Sequence, residues 1–210
     1  VLVDLTPLPA FLVASVVVVL TPGVDVFLLL RTSLNRGRRA GLLALAGIHT
    51  ASILQVALVI SGLGALVTSH PAVLSALKWI GAAYLVYLAA SILRGLWLTR
   101  KKTAEGSLSG PPVDNSNPYL RGLFSNLTNP KMLLFSLAFL PQFVGSAAQP
   151  ALQLVMLGVV FLVLALIWEA SMVLGAARIA DRLQNPRVAK SLDVISAAAF
   201  LTISVGLVAG

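Results

Sequence analysis

Residues 16–31 read VVVVLTPGVDVFLLLR. The run is apolar enough to lie in hydrocarbon, yet its middle holds Thr21, Pro22, Gly23 and Asp25. A proline inside a helix removes a backbone donor and clashes with the carbonyl four residues earlier, at a cost of about 3 kcal/mol. In a bilayer, the carbonyls so freed must find partners or face a polar cavity. The solvent around this stretch therefore decides how it is read.

Composition identifies that solvent. The 210 residues are 58% hydrophobic and 10% charged, with a mean hydropathy of +0.96; a soluble domain carries about 25% charged residues. The chain is predicted to be an all-α integral membrane protein. A hydrocarbon core of ~30 Å takes about 20 apolar residues per helix. Six such stretches occur, at about 8–31, 41–66, 71–98, 120–141, 151–175 and 190–209. They leave little chain for anything else, so residues 1–210 are taken as one membrane domain. The first stretch lacks a basic segment before it and runs well past the length of a signal-peptide core, so it is expected to be retained as a helix. The chain has no cysteine, which excludes thiol redox chemistry, disulfides and thiolate metal ligation.

The cations set an expected orientation. Arg36, Arg38 and Arg39 follow the first stretch, Arg100, Lys101 and Lys102 follow the third, and Arg178, Arg182, Arg187 and Lys190 lie between the fifth and sixth. The other two connections, VTSHP at 67–71 and QFVGSAAQP at 142–150, contain no lysine or arginine. The positive-inside rule makes the basic connections cytoplasmic and puts both termini outside, in a multi-pass membrane protein. The net charge of +8 is then a topology signal and an attraction to anionic lipid. Nucleic acid is not an expected partner, because no aromatic residues interleave a basic face.

Residues 99–118, TRKKTAEGSLSGPPVDNSNP, form a polar linker without apolar period. It divides the chain into repeat one, about 6–98, and repeat two, about 119–210, each with three helices. Two odd-numbered groups must enter the membrane from opposite faces, which is the arrangement of an inverted repeat. Setting Pro22 against Pro130 brings Thr21 opposite Asn129 and Gly23 opposite Lys131, with aliphatic runs after each. At ~1.5 Å per residue, both prolines fall near the midplane. The first helix of each repeat is thus expected to be broken there, and paired interruptions are the best sequence pointer to a transporter site. That site comprises Thr21, Pro22, Gly23, Asp25, Asn126, Asn129, Pro130 and Lys131.

Three regions, TPGVDVFLLLRTSLNRGRRAGLLALAGIHT (21–50), LKWIGAAYLVYLAASILRG (77–95) and RGLFSNLTNPKMLLFSLAFLPQFV (121–144), resemble the signature regions of the LysE/RhtB amino-acid exporters. The family's Thr-Pro-Gly-Pro motif corresponds to Thr21, Pro22 and Gly23, with Val24 where a second proline is usual, and its Asn-Pro-Lys motif to Asn129, Pro130 and Lys131. The resemblance implies export of an amino acid or related metabolite driven by the proton motive force, without cofactor. The wider superfamily also includes metal exporters and a thiol electron carrier, the latter excluded here by the lack of cysteine.

Ionisable groups at membrane depth normally face a cavity and mark function. Asp25 is expected to couple protons or to hold a substrate amino group, or else to form an ion pair with Lys131 or Arg31. An amino acid bridging Lys131 and Asp25 is the expected pose. His49 and Glu169, in the cytoplasmic half with Asp25, are candidates for a proton relay; the alternatives are a packing role for His49 and pairing with Arg178 for Glu169. Gly37, Gly41, Gly47, Gly62 and Gly64 are read as packing or turn residues, compatible with homo-oligomerisation. Tyr84 and Tyr87 are the aromatic candidates for a cavity, and Trp79 and Trp97 for interfacial anchoring. No nucleotide-binding loop, paired-histidine zinc motif or nucleophile elbow is present, so no enzyme is expected. The competing readings are a divalent-cation exporter using Asp25, His49 and Glu169 and, behind it, a membrane-embedded enzyme or assembly subunit.

Overall fold

The computed structural model describes residues 2–21, 23–69, 116–129 and 135–176, together with 132, 178 and separate positions within 76–94 and 190–205. Pro22, Pro130 and Lys131 lie outside the described residues, as do Lys78, Tyr84 and Trp97. The described regular elements are helical throughout: α1 Leu8–Leu20, α2 Val24–Ser69, α3 Pro118–Leu127, a π turn Phe135–Phe139, a 3₁₀ turn Leu140–Phe143, and α4 Pro150–Leu174.

The first apolar stretch does break in its middle. α1 stops at Leu20, and Thr21 turns extended (φ −66°, ψ 116°). Its amide and hydroxyl both return to the Val17 carbonyl, at 3.1 and 2.7 Å. The helix that resumes at Val24 has Asp25 in its first turn, where the aligned peptide dipoles favour a carboxylate. Gly37, at φ 80° and ψ 170°, then divides α2 into limbs 24–36 and 38–69. Only glycine takes that conformation readily, so the basic run RGRR at 36–39 is a tight reversal.

α3 ends in the same manner as α1. The Thr128 amide and hydroxyl both bond the Phe124 carbonyl, at 3.1 and 2.7 Å. Thr21 and Thr128 thus make the same two capping contacts, although Thr128 keeps helical angles (φ −91°, ψ −1°) where Thr21 is extended. The second interruption has one extra residue, and that residue carries a carboxamide.

α4 orders the interior into layers. Its buried outer residues Leu154, Leu157 and Phe161 join Phe11, Phe135, Phe139 and Leu140 in the largest apolar cluster. Its last turn joins two smaller clusters: Met172 packs with Val26 and Leu30 of the 24–36 limb, and Val173 with Leu29 of that limb and Ala44, Leu45 and Ile48 of the 38–69 limb. Ala165 and Glu169 lie between, so a polar layer is enclosed by apolar layers on both sides. The opposite face of α4 exposes Val155, Val159, Val163 and Ile167. A helix of 25 residues that is apolar all round is about 37 Å long and suits a bilayer, not water.

Helices in lipid have no hydrophobic drive to associate and rely on close packing and hydrogen bonds. Here α3 meets the 38–69 limb backbone to backbone. A Cβ added at Gly47 would collide with the Tyr119 carbonyl, and one at Gly122 with the Ala44 carbonyl. Tyr119 Oη donates to Thr50 Oγ1 at 3.2 Å along the same seam. Gly41 packs against Ser33 and Val173, whereas among the described residues none lies within 4 Å of a Cβ added at Gly62.

The end of the molecule away from Gly37 is closed by a polar latch. Asp4 Oδ2 accepts from the Ser146 amide and hydroxyl, both at 2.9 Å, and Oδ1 from the Thr6 amide at 2.9 Å. Fully buried Gln153 accepts from the Asp4 amide (3.0 Å) and donates to the Asp4 and Phe143 carbonyls (2.7 and 3.3 Å). The Ser146 and Thr6 backbone amides hold the Asp4 carboxyl well below the usual carboxylate range. Beneath the latch, Phe11, Phe143, Phe139, Phe135 and Phe161 form a continuous column with ring centroids 4.3–6.0 Å apart.

Candidate functional site

The glycine seam determines where α3 places its polar residues. Pro118, Gly122 and Asn126 recur every fourth residue on its buried face, and the close approach at Gly122 presses Asn126 against α2. Asn126 is 1% exposed. Its Oδ1 accepts from Ser52 at 3.4 Å and its main-chain carbonyl from Gln55 Nε2 at 3.1 Å. Its Nδ2 donates to Asp25 Oδ2 at 3.2 Å.

Two more groups from the end of α3 meet the same carboxylate. Asn129 Nδ2 donates to Oδ2 at 2.7 Å, and Ser125 Oγ donates to Oδ1 at 3.1 Å. Asp25, 6% exposed, thus receives three hydrogen bonds from the segment that precedes the second interruption. Buried charge is tolerated only when paired or hydrogen-bonded, and carboxamides do that here. The expected ion pair with Lys131 falls outside the described residues, and the described partners are neutral donors. Ser125, Ser52 and Gln55 are additions to the sequence-derived set; their signal was a polar residue on the buried face of an apolar helix.

A cavity of about 30 Å³ opens beside this node. Thr21, Gly23, Asp25 and Asn129 line it from the two interruptions, and Phe161, Ala165 and Glu169 from one face of α4. The remaining wall is aliphatic. Since about 10–15 Å³ holds one water, the cavity takes roughly two waters and must widen to accept an amino acid. The cavity sits where helices stop, so widening requires movement at the breaks and not compression of packed helix.

The relay candidates also converge. His49 Nε2 lies 3.0 Å from Glu169 Oε2, with side chains 13% and 15% exposed. Neither atom makes a well-aligned hydrogen bond. The sequence-based pairing of Glu169 with Arg178 is replaced by this one, because Glu169 points inward on the Phe161–Ala165 face while Arg178 is exposed. Tyr87 is 64% exposed and does not line the cavity, and Trp79, 61% exposed, faces outward as an interfacial anchor would. Among the described residues, no three His, Cys, Asp or Glu side chains form a group able to hold a metal ion.

Comparison with known proteins gives one family. Residues 16–210 match the family described as LysE type translocator. The chain is 30% identical over 194 residues to a homoserine/homoserine lactone efflux protein of Salmonella typhimurium, covering 92% of each chain. It is 31% identical over 159 residues to a leucine efflux protein of Klebsiella pneumoniae, covering 76% of this chain and 70% of the other. An uncharacterized membrane protein of Pseudomonas aeruginosa is 30% identical over 171 residues, covering 81% and 79%. No solved structure matches the chain.

Proposed function

The chain belongs to the LysE type translocator family, and on that footing we propose that it exports a neutral amino acid or amino-acid-like metabolite across the plasma membrane, driven by the proton motive force. The observation that carries this reading is the buried Asp25 carboxylate, held by Asn126 and Asn129 at the edge of a cavity formed where two helices are interrupted. A carboxylate at membrane depth is the natural partner of a substrate ammonium. The positive end of the helix beginning at Val24 suits a substrate carboxylate, and in this proposal Lys131, two positions after Asn129 in the sequence, is the cation assigned to the same group. The aliphatic wall suits an uncharged side chain, in keeping with relatives named for leucine and homoserine efflux.

In this reading the six predicted helices form two inverted repeats, the basic connections are cytoplasmic, and the interruptions lie at the midplane. Export then alternates access to the cavity from the two sides. The divalent-cation reading has less support, because both Asp25 oxygens already accept from N–H or O–H donors that a metal ion would have to displace.

The test is transport by the purified protein in vesicles with an imposed pH gradient, using labelled leucine, homoserine and a panel of other amino acids. Gradient-dependent movement of at least one amino acid is expected. Movement of divalent cations with no amino acid would overturn the reading.

A further inference from the structure

Two carboxylates line the cavity, and their surroundings differ. Both oxygens of Asp25 accept from donors on the α3 side. Glu169 Oε2, in contrast, lies 3.0 Å from the His49 ring nitrogen, and among the described residues neither atom has a well-aligned hydrogen bond. At that distance Nε2 and Oε2 can share a proton, and an imidazolium facing a carboxylate makes a charge-assisted bond. Asp25 is built as a fixed acceptor, whereas the His49–Glu169 pair is an acid–base pair without such donors among the described residues.

We infer that the two tasks of a proton-coupled exporter are divided between these groups: Asp25 takes the substrate amino group, and the His49–Glu169 pair holds the coupling proton between Nε2 and Oε2. The inference rests on the exporter reading above and specifies the coupling site within it. The elements packed against α4 carry few other titratable groups. Among the described residues, the 24–36 limb has Asp25, Arg31 and Arg36 and the 38–69 limb has Arg38, Arg39 and His49, while α1 and residues 135–143 have none. Of these, Asp25 lines the cavity with Glu169 and His49 lies beside it.

The coupling follows from charge. With the pair unprotonated, Asp25 and Glu169 both place negative charge on one small cavity. Either a proton on the pair or a substrate ammonium in the cavity relieves that repulsion, and either makes the other less favourable. Competition of this kind across one cavity is antiport. A substrate entering from the cytoplasm would expel the proton inward, and a proton arriving from outside would help to expel the substrate outward.

Three measurements test this. Substrate binding to the wild-type protein in detergent, followed with a pH indicator at low buffer concentration, is expected to release close to one proton per substrate bound. Binding without release overturns the inference, and this arm does not depend on any variant folding. In vesicles, the ratio of pH-gradient-driven accumulation to substrate-for-substrate exchange at symmetric pH is expected to fall at least tenfold in His49→Gln and in Glu169→Gln. Asp25→Asn lowers both activities together. Glu169→Asp restores the ratio in part. If the ratio is unchanged in folded His49→Gln and Glu169→Gln proteins, or if both activities disappear together as in Asp25→Asn, the division of roles is wrong. The exporter reading fails separately, if the wild-type protein moves no amino acid under a pH gradient.

Discussion

Replacing Asp25 by Asn and by Ala separates its architectural role from its role toward substrate. The carboxylate receives two carboxamide donors on Oδ2 and one hydroxyl on Oδ1. In Asp25→Asn, the new carbonyl oxygen faces Asn126 and Asn129, and the new amide faces Ser125, whose hydroxyl rotates to accept. All three contacts survive as neutral hydrogen bonds. Each loses roughly 1 kcal/mol relative to a charge-assisted bond, and relief of the cost of burying a charge offsets part of that loss. The net change in stability is expected to be within about 1–2 kcal/mol.

Asp25→Ala instead leaves three donors facing an empty volume. An unsatisfied buried group costs about 1–3 kcal/mol, and the bonds forfeited in transmembrane bundles average ~0.6 kcal/mol each, so the total is expected to be at least about 3 kcal/mol. Transport follows the opposite logic. Removing the Asp25 charge takes away the charge-assisted bond proposed to the substrate ammonium, worth about 1.5–3 kcal/mol or roughly 10- to 150-fold in apparent affinity. Thermal unfolding in detergent and uptake into vesicles are measured on the same preparations. Asp25→Asn should be nearly as stable as wild type and defective in transport, and Asp25→Ala should be deficient in both. An Asp25→Asn protein that transports at the wild-type rate would refute the substrate role, and an Asp25→Ala protein of wild-type stability would refute the account of the node.

Gly122→Val forces a side chain into the Ala44 backbone carbonyl; because backbone cannot swing aside, it should destabilise the protein by about 1–3 kcal/mol in detergent unfolding and lower substrate affinity by displacing Asn126. Tyr119→Phe, on the same seam, removes one hydrogen bond to Thr50 and should cost about 0.5–1.5 kcal/mol in the same assay with transport retained. The Asp4 latch should be pH-dependent with a definite sign. The folded-state pKa of Asp4 is depressed, so its contribution is complete above about pH 4, the unfolded value, and is lost as pH falls through the depressed folded value; an Asp4→Asn protein should have a flatter acid stability profile than wild type. Gly145, at φ 61°, abuts Asp4 and Pro7, and Gly145→Ala should loosen the same latch at neutral pH, read as faster amide exchange at Ser146.

The parts of the structure legible from sequence are those governed by local chemistry. Apolar composition foretold helices with lipid-suited faces and Pro22 with Gly23 foretold the interruption after Leu20, whereas Gly37, read only as a packing or turn residue, proved to be the turn. Asn126 and Asn129, three apart, could be placed on one face, and both reach Asp25. What periodicity could not give was the partner of each group. Ser52 and Gln55 are separated from Asn126 by more than seventy residues, and neither has a spacing that distinguishes it from a surface residue of a packed helix. The latch between Asp4 and Gln153 spans 149 positions, joining two residues that look unremarkable separately. His49 and Glu169 could be grouped by depth as relay candidates, with Arg178 as the alternative partner of Glu169, but only the fold shows that the two are in direct contact, at 3.0 Å.

The one-residue difference between the interruptions also explains the asymmetry of the site. Both helices end on a threonine that returns its amide and hydroxyl to a single carbonyl, but the chain then leaves extended at Thr21 and still helical at Thr128. After Thr21 comes proline directly; after Thr128 comes Asn129 and then proline. The inserted residue supplies the 2.7 Å donor to Asp25, and it joins the end of α3 to the start of α2. Deleting Asn129 would make the interruptions equal in length and leave Asp25 with Ser125 and Asn126. Replacing it with Gln would keep the length but carry the amide one methylene too far. If Asn129 matters chiefly as the clamp on Asp25, Asn129→Ala should raise the apparent KM for export by about tenfold with little change in the exchange-to-accumulation ratio. If it matters chiefly as the spacer that sets the break, Asn129→Ala should transport normally and only the deletion should fail.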